Sequence, residues 1–379
     1  MTTQHTRTLD RQIGLGLLVL LFLVSACGKT DPPIEKGVDL SAFPYQPKAF
    51  DLVVPDHFSQ MPIPSDNPLT VDGVALGRYL FYDPILSLDS TISCASCHLP
   101  AAAFADTVAL SKGVGGTLGV RNAMSLANVG YYQNGLFWDG RVATLEEQSL
   151  HPVQDPLEMR EDWNKVEEKL QQHPEYQKRF RAAFGIENSL DIDRYLAAKA
   201  LAQFERTLIS GTSKYDFANF DWGTQQQFFT SSELRGRNFF FSEPDDPNDP
   251  HPGCTHCHTS LLLTTNEYLN NGLDEAPELT GFSDLGRGGV TLSVFDNGRF
   301  RVPTLRNITR TAPYMHDGRF ESLEDVLDHY SSGGHYAPNV DANIQAFVLT
   351  EEQKTDLLAF LQTLTDQSFI ENPAFLNPF

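Results

Sequence analysis

The sequence predicts a mainly α-helical fold that consists of two tandem copies of one domain. Three observations lead to this prediction. A short cysteine motif occurs at Cys94–His98 and again at Cys254–His258. Similar segments flank the motif in both places, and repeats on this scale indicate two copies of a domain rather than a solenoid. The chain also lacks the long apolar–polar alternation that would predict a strand.

The composition is that of an ordinary globular protein. Of the 379 residues, 41% are hydrophobic and 20% are charged, which excludes a disordered, collagen-like or polytopic membrane protein. A chain of this length can bury a core without disulfide staples. The formal net charge of −21 argues against nucleic acid or an anionic lipid surface as the main partner.

Residues 1–26 predict a lipoprotein signal peptide. An apolar run follows Arg7 and Arg11, and it is shorter than a typical transmembrane helix. The run ends in Val24-Ser25-Ala26-Cys27, which resembles a bacterial lipobox. We therefore expect lipid on Cys27 and a location on the periplasmic side of a bacterial membrane. The alternative is an ordinary signal peptide with an incidental cysteine.

The mature chain is predicted to begin with a tether and an irregular lead-in at residues 27–60, because this stretch is rich in proline. The repeat then divides the chain into an N-terminal domain at 61–215 and a C-terminal domain at 216–379. One pair of repeated segments precedes the cysteines and two pairs follow them. These pairs are Gly77-Arg78 with Gly236-Arg237, Arg121-Asn122 with Arg306-Asn307, and Asp139-Gly140-Arg141 with Asp317-Gly318-Arg319.

The four remaining cysteines predict two covalent haem sites. They stand as Cys94-Ala-Ser-Cys97-His98 and Cys254-Thr-His-Cys257-His258, the C-x-x-C-H pattern of c-type haem attachment. Two thiols reach the two vinyl groups, and the adjacent histidine lies under the iron. A zinc site would need the second cysteine pair close to the first, but these pairs lie far apart in the chain. Each domain is therefore expected to be cytochrome-c-like.

With these motifs the chain resembles the bacterial dihaem cytochrome c peroxidases, and within them the MauG-like branch. The resemblance covers roughly residues 60–370. Its most specific motifs are ALGRYLFYDPILS, SCASCH, FWDGRVATLEEQ, CTHCH, VPTLRNITRTAPYMHDGRF and LEDVLDHYSSGG. The resemblance implies a peroxidatic haem in the N-terminal domain, an electron-transfer haem in the C-terminal domain, and a calcium ion between them.

The resemblance implies that the first haem has an open side. His98 matches the proximal ligand, but the loop 99–120, where conventional members carry a distal histidine, contains none. Val114 lies in the region that matches that position. MauG-like members also have an open iron, which binds peroxide without first expelling a ligand. His151 is the next histidine along the chain and is the alternative ligand.

The resemblance also assigns acid–base work to Glu146, which follows the FWDGR motif by the family's spacing. A carboxyl group with a raised pKa in a dry pocket can move a proton between the two peroxide oxygens. The alternative is that Glu146 and Glu147 are first-turn acids of a helix. Leu136 stands where the family often has glutamine. The tryptophan usually found between the haems, near the SLAN stretch, is missing.

The second haem has His258 as its proximal ligand and rival candidates for its sixth ligand. Tyr330 matches the position where MauG-like members carry tyrosine and conventional members carry methionine. Met315 is the alternative, because a thioether is a common c-haem ligand. His329 and His335 are further alternatives. The choice matters because an anionic oxygen ligand stabilises ferric iron and lowers the reduction potential.

A calcium site follows from the same resemblance. Asn122 matches the family's side-chain ligand, and Thr311 and Pro313 match its backbone carbonyl ligands, a set of oxygens that suits Ca²⁺. The alternative is that Asn122 merely caps a turn. An acidic loop is predicted to be solvated surface rather than a metal site. Its residues are Asp245, Asp246 and Asp249.

Three functions from different classes follow from these features. The first is reduction of hydrogen peroxide with electrons from a small cytochrome c or cupredoxin. The second is MauG-like oxidation of side chains of a partner protein through a high-valent state of the two haems. The third is electron transfer without peroxide turnover, which the open first haem and Glu146 disfavour. Conventional members are often dimers, so a homodimer is also expected.

Overall fold

The computed structural model describes residues 37–220, 228–242 and 252–379. The predicted signal peptide, Cys27, Trp222 and the acidic loop lie outside the described residues. Gly37–Phe379 belongs to one unit of the chain. Its first part, up to residue 60, is irregular, and it buries Leu40 and Phe58.

Helices make up most of the regular structure of the described residues, which confirms the mainly α-helical prediction. The helices are α1 (Val71–Tyr82), α2 (Leu145–Gln148), α3 (His151–Gln154), α4 (Trp163–Gln172), α5 (Pro174–Phe184), α6 (Arg194–Glu205), α7 (Lys214–Phe220), α8 (Ser231–Phe241), α9 (Cys254–Cys257), α10 (Gly288–Thr291), α11 (Leu323–Ser332), α12 (Glu351–Gln362) and α13 (Gln367–Ile370). Two short strands, β1 (Tyr268–Leu269) and β2 (Phe300–Arg301), pair antiparallel with Tyr268 opposite Arg301. Both strands are too short for the alternation of a longer strand to be visible in the sequence.

The repeated Gly-Arg segments place a glycine at the same kind of helix crossing in both halves. Helix α1 packs against α6, and α8 packs against α12. A Cβ atom on Gly77 would lie 1.9 Å from the backbone oxygen of Ala200, and one on Gly236 would lie 1.9 Å from that of Asp356. Only glycine permits such a close backbone approach. The sequence repeat therefore has a structural repeat beneath it.

Each helix pair contributes to its own hydrophobic core. The first core contains Phe81 and Phe204, and the second contains Phe240 and Phe360. The chain end crosses back to the first core, where it buries Phe369. The division at residues 215 and 216 stays a prediction.

No helix within 37–220, 228–242 and 252–379 combines the length and the apolar character needed to cross a membrane. The predicted lipid anchor at Cys27 is not among these residues, so it stays a prediction.

Candidate active site

The first cysteine motif forms a tight turn. Cys94–Ser96 is a single 3-10 turn, closed at its start by reciprocal hydrogen bonds between Ser93 and Ser96. The backbone N–H groups of Cys97 and His98 both donate to the Cys94 carbonyl oxygen, at 3.2 and 3.0 Å. Because these bonds are local, two thiols and an imidazole are held together by five consecutive residues.

The His98 ring is oriented by the loop that follows it. Its Nδ1 lies 2.8 Å from the carbonyl oxygen of Phe104. A carbonyl oxygen only accepts, so Nδ1 carries the proton and Nε2 keeps its lone pair, as a metal ligand requires. Burial lowers the pKa of His98, which keeps the ring neutral. Ala103 and Phe104 both have positive φ angles, 50° and 62°, and this bend turns the Phe104 carbonyl towards the ring.

The second motif repeats this arrangement. The Nδ1 of His258 donates to the Leu263 carbonyl oxygen at 3.2 Å, and burial lowers the pKa of His258 to about 4. Leu263 has a positive φ of 53°. The buried Arg306 fixes the loop, because its Nε donates to the Leu261 carbonyl oxygen at 2.8 Å. Both motifs therefore present a neutral imidazole that a backbone carbonyl oxygen holds through its Nδ1.

A cavity with mainly apolar walls adjoins the second motif. Its lining includes Cys254, Cys257 and His258 on one side and Met315 and Tyr330 from distant segments. The arrangement suits a flat hydrophobic group that is attached at one edge and ligated through its centre, which is the shape of a haem. The wall also includes a tryptophan and an arginine from outside these segments.

That arginine, Arg301, is a buried cation with an unused donor. Its side chain is 2% exposed overall, and its Nη1 has no hydrogen-bond partner within the described residues. The guanidinium lies over the rings of Tyr132 and Tyr268, and it forms no ion pair with a described carboxylate. Burial lowers the pKa of Arg301. An unpaired buried cation calls for an anionic partner, and a haem propionate supplies one. Arg301 would hold it, so the residues present fit the cofactor.

Both leading candidates for the sixth ligand meet at one side chain. The Nδ2 of Asn271 lies 3.3 Å from the Tyr330 hydroxyl oxygen and 3.5 Å from the Met315 sulfur. Burial raises the pKa of Tyr330 to about 12, against a smaller lowering by the Asn271 hydrogen bond. Met315 has a positive φ of 74°, which is rare for a side chain of its size.

The two histidine alternatives are placed differently. His329 is buried, and its Nε2 lies 3.0 Å from the backbone oxygen of Asn271, to which it can only donate. That ring nitrogen is therefore occupied. His335 is exposed. The geometry leaves Tyr330 and Met315 as the candidates that share the cavity wall.

Glu146 lies in a polar cluster rather than a dry pocket. Arg206 makes a two-pronged contact with its carboxylate, at 2.7 and 3.0 Å, and the Asn67 amide donates to it at 2.6 Å. Burial raises the pKa of Glu146, but the hydrogen bonds and charge of these partners outweigh burial, and the net pKa is lowered. The expectation of a raised pKa was therefore wrong, because Arg206, the C-cap residue of α6, neutralises the carboxylate.

The neighbouring Glu147 has the role of a first-turn helix acid. It is exposed, and its carboxylate accepts from the backbone N–H of Ala143 at 3.0 Å. The N-cap of α2 is Thr144, which accepts from the Glu147 backbone N–H. The two adjacent glutamates thus differ. Glu147 makes hydrogen bonds at the N-terminus of α2, whereas the side chain of Glu146 pairs with Arg206.

Two carboxyl groups near the first motif, one buried and one half-buried, were missed by the sequence interpretation. Glu205 is 5% exposed, its Oε2 has no partner within the described residues, and burial raises its pKa to about 8. Glu158 has its pKa raised to about 7, also by burial. Both carboxyls act electrostatically on the thiol of Cys94. The one signal in the sequence is that Glu205 ends the apolar helix α6.

The loop 99–120 is expected to line the distal side of the first haem, and it contains no histidine. Val114 is buried, and its backbone N–H donates to the Glu158 carbonyl oxygen at 2.8 Å. His151 is exposed, and its ring meets the edge of Phe137. This placement gives no support to His151 as a buried ligand.

Asn122 stands at a junction between the two halves. Its backbone N–H donates to the His316 carbonyl oxygen at 2.7 Å, and its Nδ2 donates to Val108 and Ala109 carbonyl oxygens. Its Oδ1 accepts no hydrogen bond within the described residues, which leaves an oxygen for a cation. Thr311 and Pro313 lie on the segment that leads to His316. Across the same residues, no cluster of three or more His, Cys, Asp or Glu side chains is placed for a metal ion.

Neither described tryptophan lies in the SLAN stretch, near which the family usually has a tryptophan between the two haems. Trp163 is buried in the first core, and its Nε1 donates to the Leu150 carbonyl oxygen. Trp138 lines the cavity of the second motif, and its Nε1 donates to the Asn122 carbonyl oxygen at 2.8 Å. Leu136 is buried in a small cluster of apolar residues.

Comparison with known proteins places these features in one family. The family model of the di-haem cytochrome c peroxidases matches residues 71–221 of this chain. The cytochrome-c peroxidase IdrP1 of Pseudomonas sp. (strain SCT) is 33% identical over 333 residues, covering 80% of this chain and 84% of that protein. The methylamine utilization protein MauG of Methylorubrum extorquens is 35% identical over 307 residues, covering 80% and 81%.

Similarity of structure agrees with similarity of sequence. A MauG-like protein associated with microbial copper homeostasis has a TM-score of 0.76 and 34% identity, covering 87% of this chain and 99% of that one. These matches confirm the resemblance predicted from the motifs. The chain therefore belongs to the di-haem cytochrome c peroxidase family and is an oxidoreductase of that type.

Proposed function

We propose that this chain reduces hydrogen peroxide at the haem of the first motif, with electrons that pass through the haem of the second. The observation that carries the proposal is the contrast between the two sites. Tyr330 and Met315 converge on the cavity of the second motif, whereas the loop 99–120 offers no histidine to the first. With haem bound, the iron of the second motif would thus be closed and suited to electron transfer, and that of the first would be open to peroxide.

When bound, the haem iron supplies the redox chemistry that splits the oxygen–oxygen bond. The overall reaction takes up two electrons and two protons per peroxide and releases two waters. Glu146 takes the proton of the near oxygen, because Arg206 and Asn67 hold its carboxylate in the charged form. Glu205, whose pKa burial raises to about 8, is the neighbouring carboxyl that can supply a proton.

We propose Tyr330 as the sixth ligand of the second haem, which is the haem that receives the electrons. Arg301, whose guanidinium lies over the Tyr268 ring, would hold a propionate of this haem. Asn122, Thr311 and Pro313 would supply oxygens to a calcium ion between the two halves. The assignments of Tyr330 and of the calcium ligands rest on the family resemblance. The role of Arg301 rests on its Nη1, which has no hydrogen-bond partner within the described residues.

Turnover of a reduced donor tests this proposal. We expect a reduced small cytochrome c or cupredoxin to be oxidised when hydrogen peroxide is added, with two donor equivalents consumed per peroxide. The measurement is donor absorbance beside a peroxide assay, and the control is the same mixture without the chain.

The other outcomes separate the competing functions. Consumption of peroxide without oxidation of any small donor, together with modification of a partner protein, favours the MauG-like reaction. MauG of Methylorubrum extorquens, at 35% identity, makes that reaction the second candidate. Electron exchange without any peroxide consumption would overturn both and leave an electron-transfer cytochrome.

We also propose export and a lipid anchor at Cys27. Replacing Cys27 with Ser is expected to release soluble protein or to block processing of the precursor, because the acyl chain can no longer be attached. Fractionation of cells followed by haem staining measures this. If the unchanged protein already fractionates with the soluble periplasmic proteins, the anchor is wrong.

A further inference from the structure

Asn271 offers two amide hydrogens to two rival ligand atoms. Its Nδ2 lies 3.3 Å from the Tyr330 oxygen and 3.5 Å from the Met315 sulfur. A side-chain amide nitrogen carries two hydrogens, so both contacts can form at once. All three side chains line the same cavity as His258. The Asn271 amide therefore lies beside both candidates for the sixth ligand of the second haem.

The backbone of Asn271 is clamped to the helix that carries Tyr330. The His329 ring donates to the Asn271 backbone oxygen at 3.0 Å, and the His335 backbone N–H donates to the Gly272 oxygen at 2.6 Å. Asn270, which is 2% exposed, accepts from the Gly272 backbone N–H at 2.9 Å. The backbone that carries the Asn271 side chain is thus held by hydrogen bonds at Asn271 and at Gly272.

We propose that Asn271 is a positioning residue for the sixth ligand of the second haem, which holds the Tyr330 oxygen by a donated hydrogen bond and keeps the Met315 sulfur occupied. This inference rests on the proposed role of Tyr330. It adds a residue that touches neither iron nor peroxide and acts through the ligand. The same amide that steadies the oxygen ligand restrains its competitor.

The hydrogen bond has a consequence for the reduction potential. A donor on the ligand oxygen draws electron density from it, so the oxygen stabilises ferric iron less strongly. Hydrogen bonds to the ligand atom are one of the means by which proteins tune haem iron. Losing the bond should therefore strengthen the preference for ferric iron.

Asn271→Leu tests the inference, because leucine has a similar volume and no donor. We expect the ferric preference of the second haem to rise about tenfold, which for one electron is a potential ~59 mV lower. The measurement is a spectroscopic redox titration of the protein with both haems attached. Asn271→Ala is the second variant, in case leucine prevents folding. Haem attachment in each variant is checked by mass.

A double-mutant cycle shows whether the effect runs through Tyr330. In a background that carries both Tyr330→Phe and Met315→Leu, Asn271→Leu should no longer shift the potential, because neither acceptor of the amide remains. Met315→Leu is the matched control, because it removes the other acceptor and leaves the bond to Tyr330 intact. It should not lower the potential as Asn271→Leu does.

The outcomes separate this inference from the proposed function. If Tyr330→Phe leaves the resting spectrum of the second haem unchanged, Tyr330 is not its ligand and the proposed assignment fails. If Tyr330→Phe alters that spectrum but Asn271→Leu and Asn271→Ala leave the potential of the second haem unchanged, only the role of Asn271 fails. An equal shift from Asn271→Leu with and without Tyr330 would also overturn it, because the amide would then act elsewhere.

Discussion

Glu146→Gln is expected to slow the reaction with hydrogen peroxide by ~10²–10⁴-fold while both haems stay attached. Glutamine keeps an oxygen for Arg206, whose contacts with the Glu146 carboxylate are 2.7 and 3.0 Å long, but it cannot take up a proton. The resting spectra should therefore be unchanged. Rapid mixing of the purified protein with peroxide, followed by absorbance in the Soret region, measures the rate.

Glu147→Gln is the matched control. The two residues are adjacent on α2, but Glu147 is exposed and bonds only to the start of its own helix. Its substitution should leave the rate with peroxide close to that of the unchanged protein. If both variants react as fast as the unchanged protein, Glu146 is only the ion-pair partner of Arg206 and the proton transfer lies elsewhere.

The pH dependence of this step follows from the direction of the pKa shift. The partners of Glu146 lower its pKa below the usual value for a glutamic acid. A carboxyl with a lowered pKa is charged at every pH above it, so the base is available at neutral pH. The rate should lose this contribution only as the pH falls through that lowered pKa, and Glu146→Gln should remove the acid limb.

The second large effect concerns activation. The protein as isolated is expected to react with peroxide without prior reduction, because the loop 99–120 has no histidine to close the first iron. Conventional members must first receive an electron, which drives the distal histidine away. Val114→His should restore that requirement here, with loss of the direct reaction until one electron is added.

Val114→Leu separates the imidazole from the added bulk. Val114 is 4% exposed, so a larger side chain must displace its neighbours in either variant. Only the histidine variant should gain a low-spin signal and a need for reductant. Equal loss of reactivity in both variants would mean that packing rather than ligation closes the site.

The parts of the site that the sequence predicted are those held by local bonds. Cys94, Cys97 and His98 form one turn, and the pattern C-x-x-C-H encodes it. The glycine at each helix crossing was visible because the segment around it occurs twice, at Gly77 and at Gly236. These features depend on near neighbours or on repetition, and both can be found in a single sequence.

The parts that escaped prediction depend on residues distant in the chain. Arg206 lies 60 positions from Glu146, and Asn271 lies 59 positions from Tyr330. No local pattern marks such pairs, because the packing of whole helices brings them together. The pKa of Glu146 was predicted in the wrong direction for this reason, since burial was foreseen and its arginine partner was not.

Electron paramagnetic resonance of the ferric protein as isolated, followed by one equivalent of peroxide, tests the central claim most directly. We expect one high-spin signal from the open first haem and one low-spin signal from the second, and both should respond to peroxide without added reductant. A resting spectrum with two low-spin haems and no high-spin signal, and no reaction until one electron is added, would contradict the account.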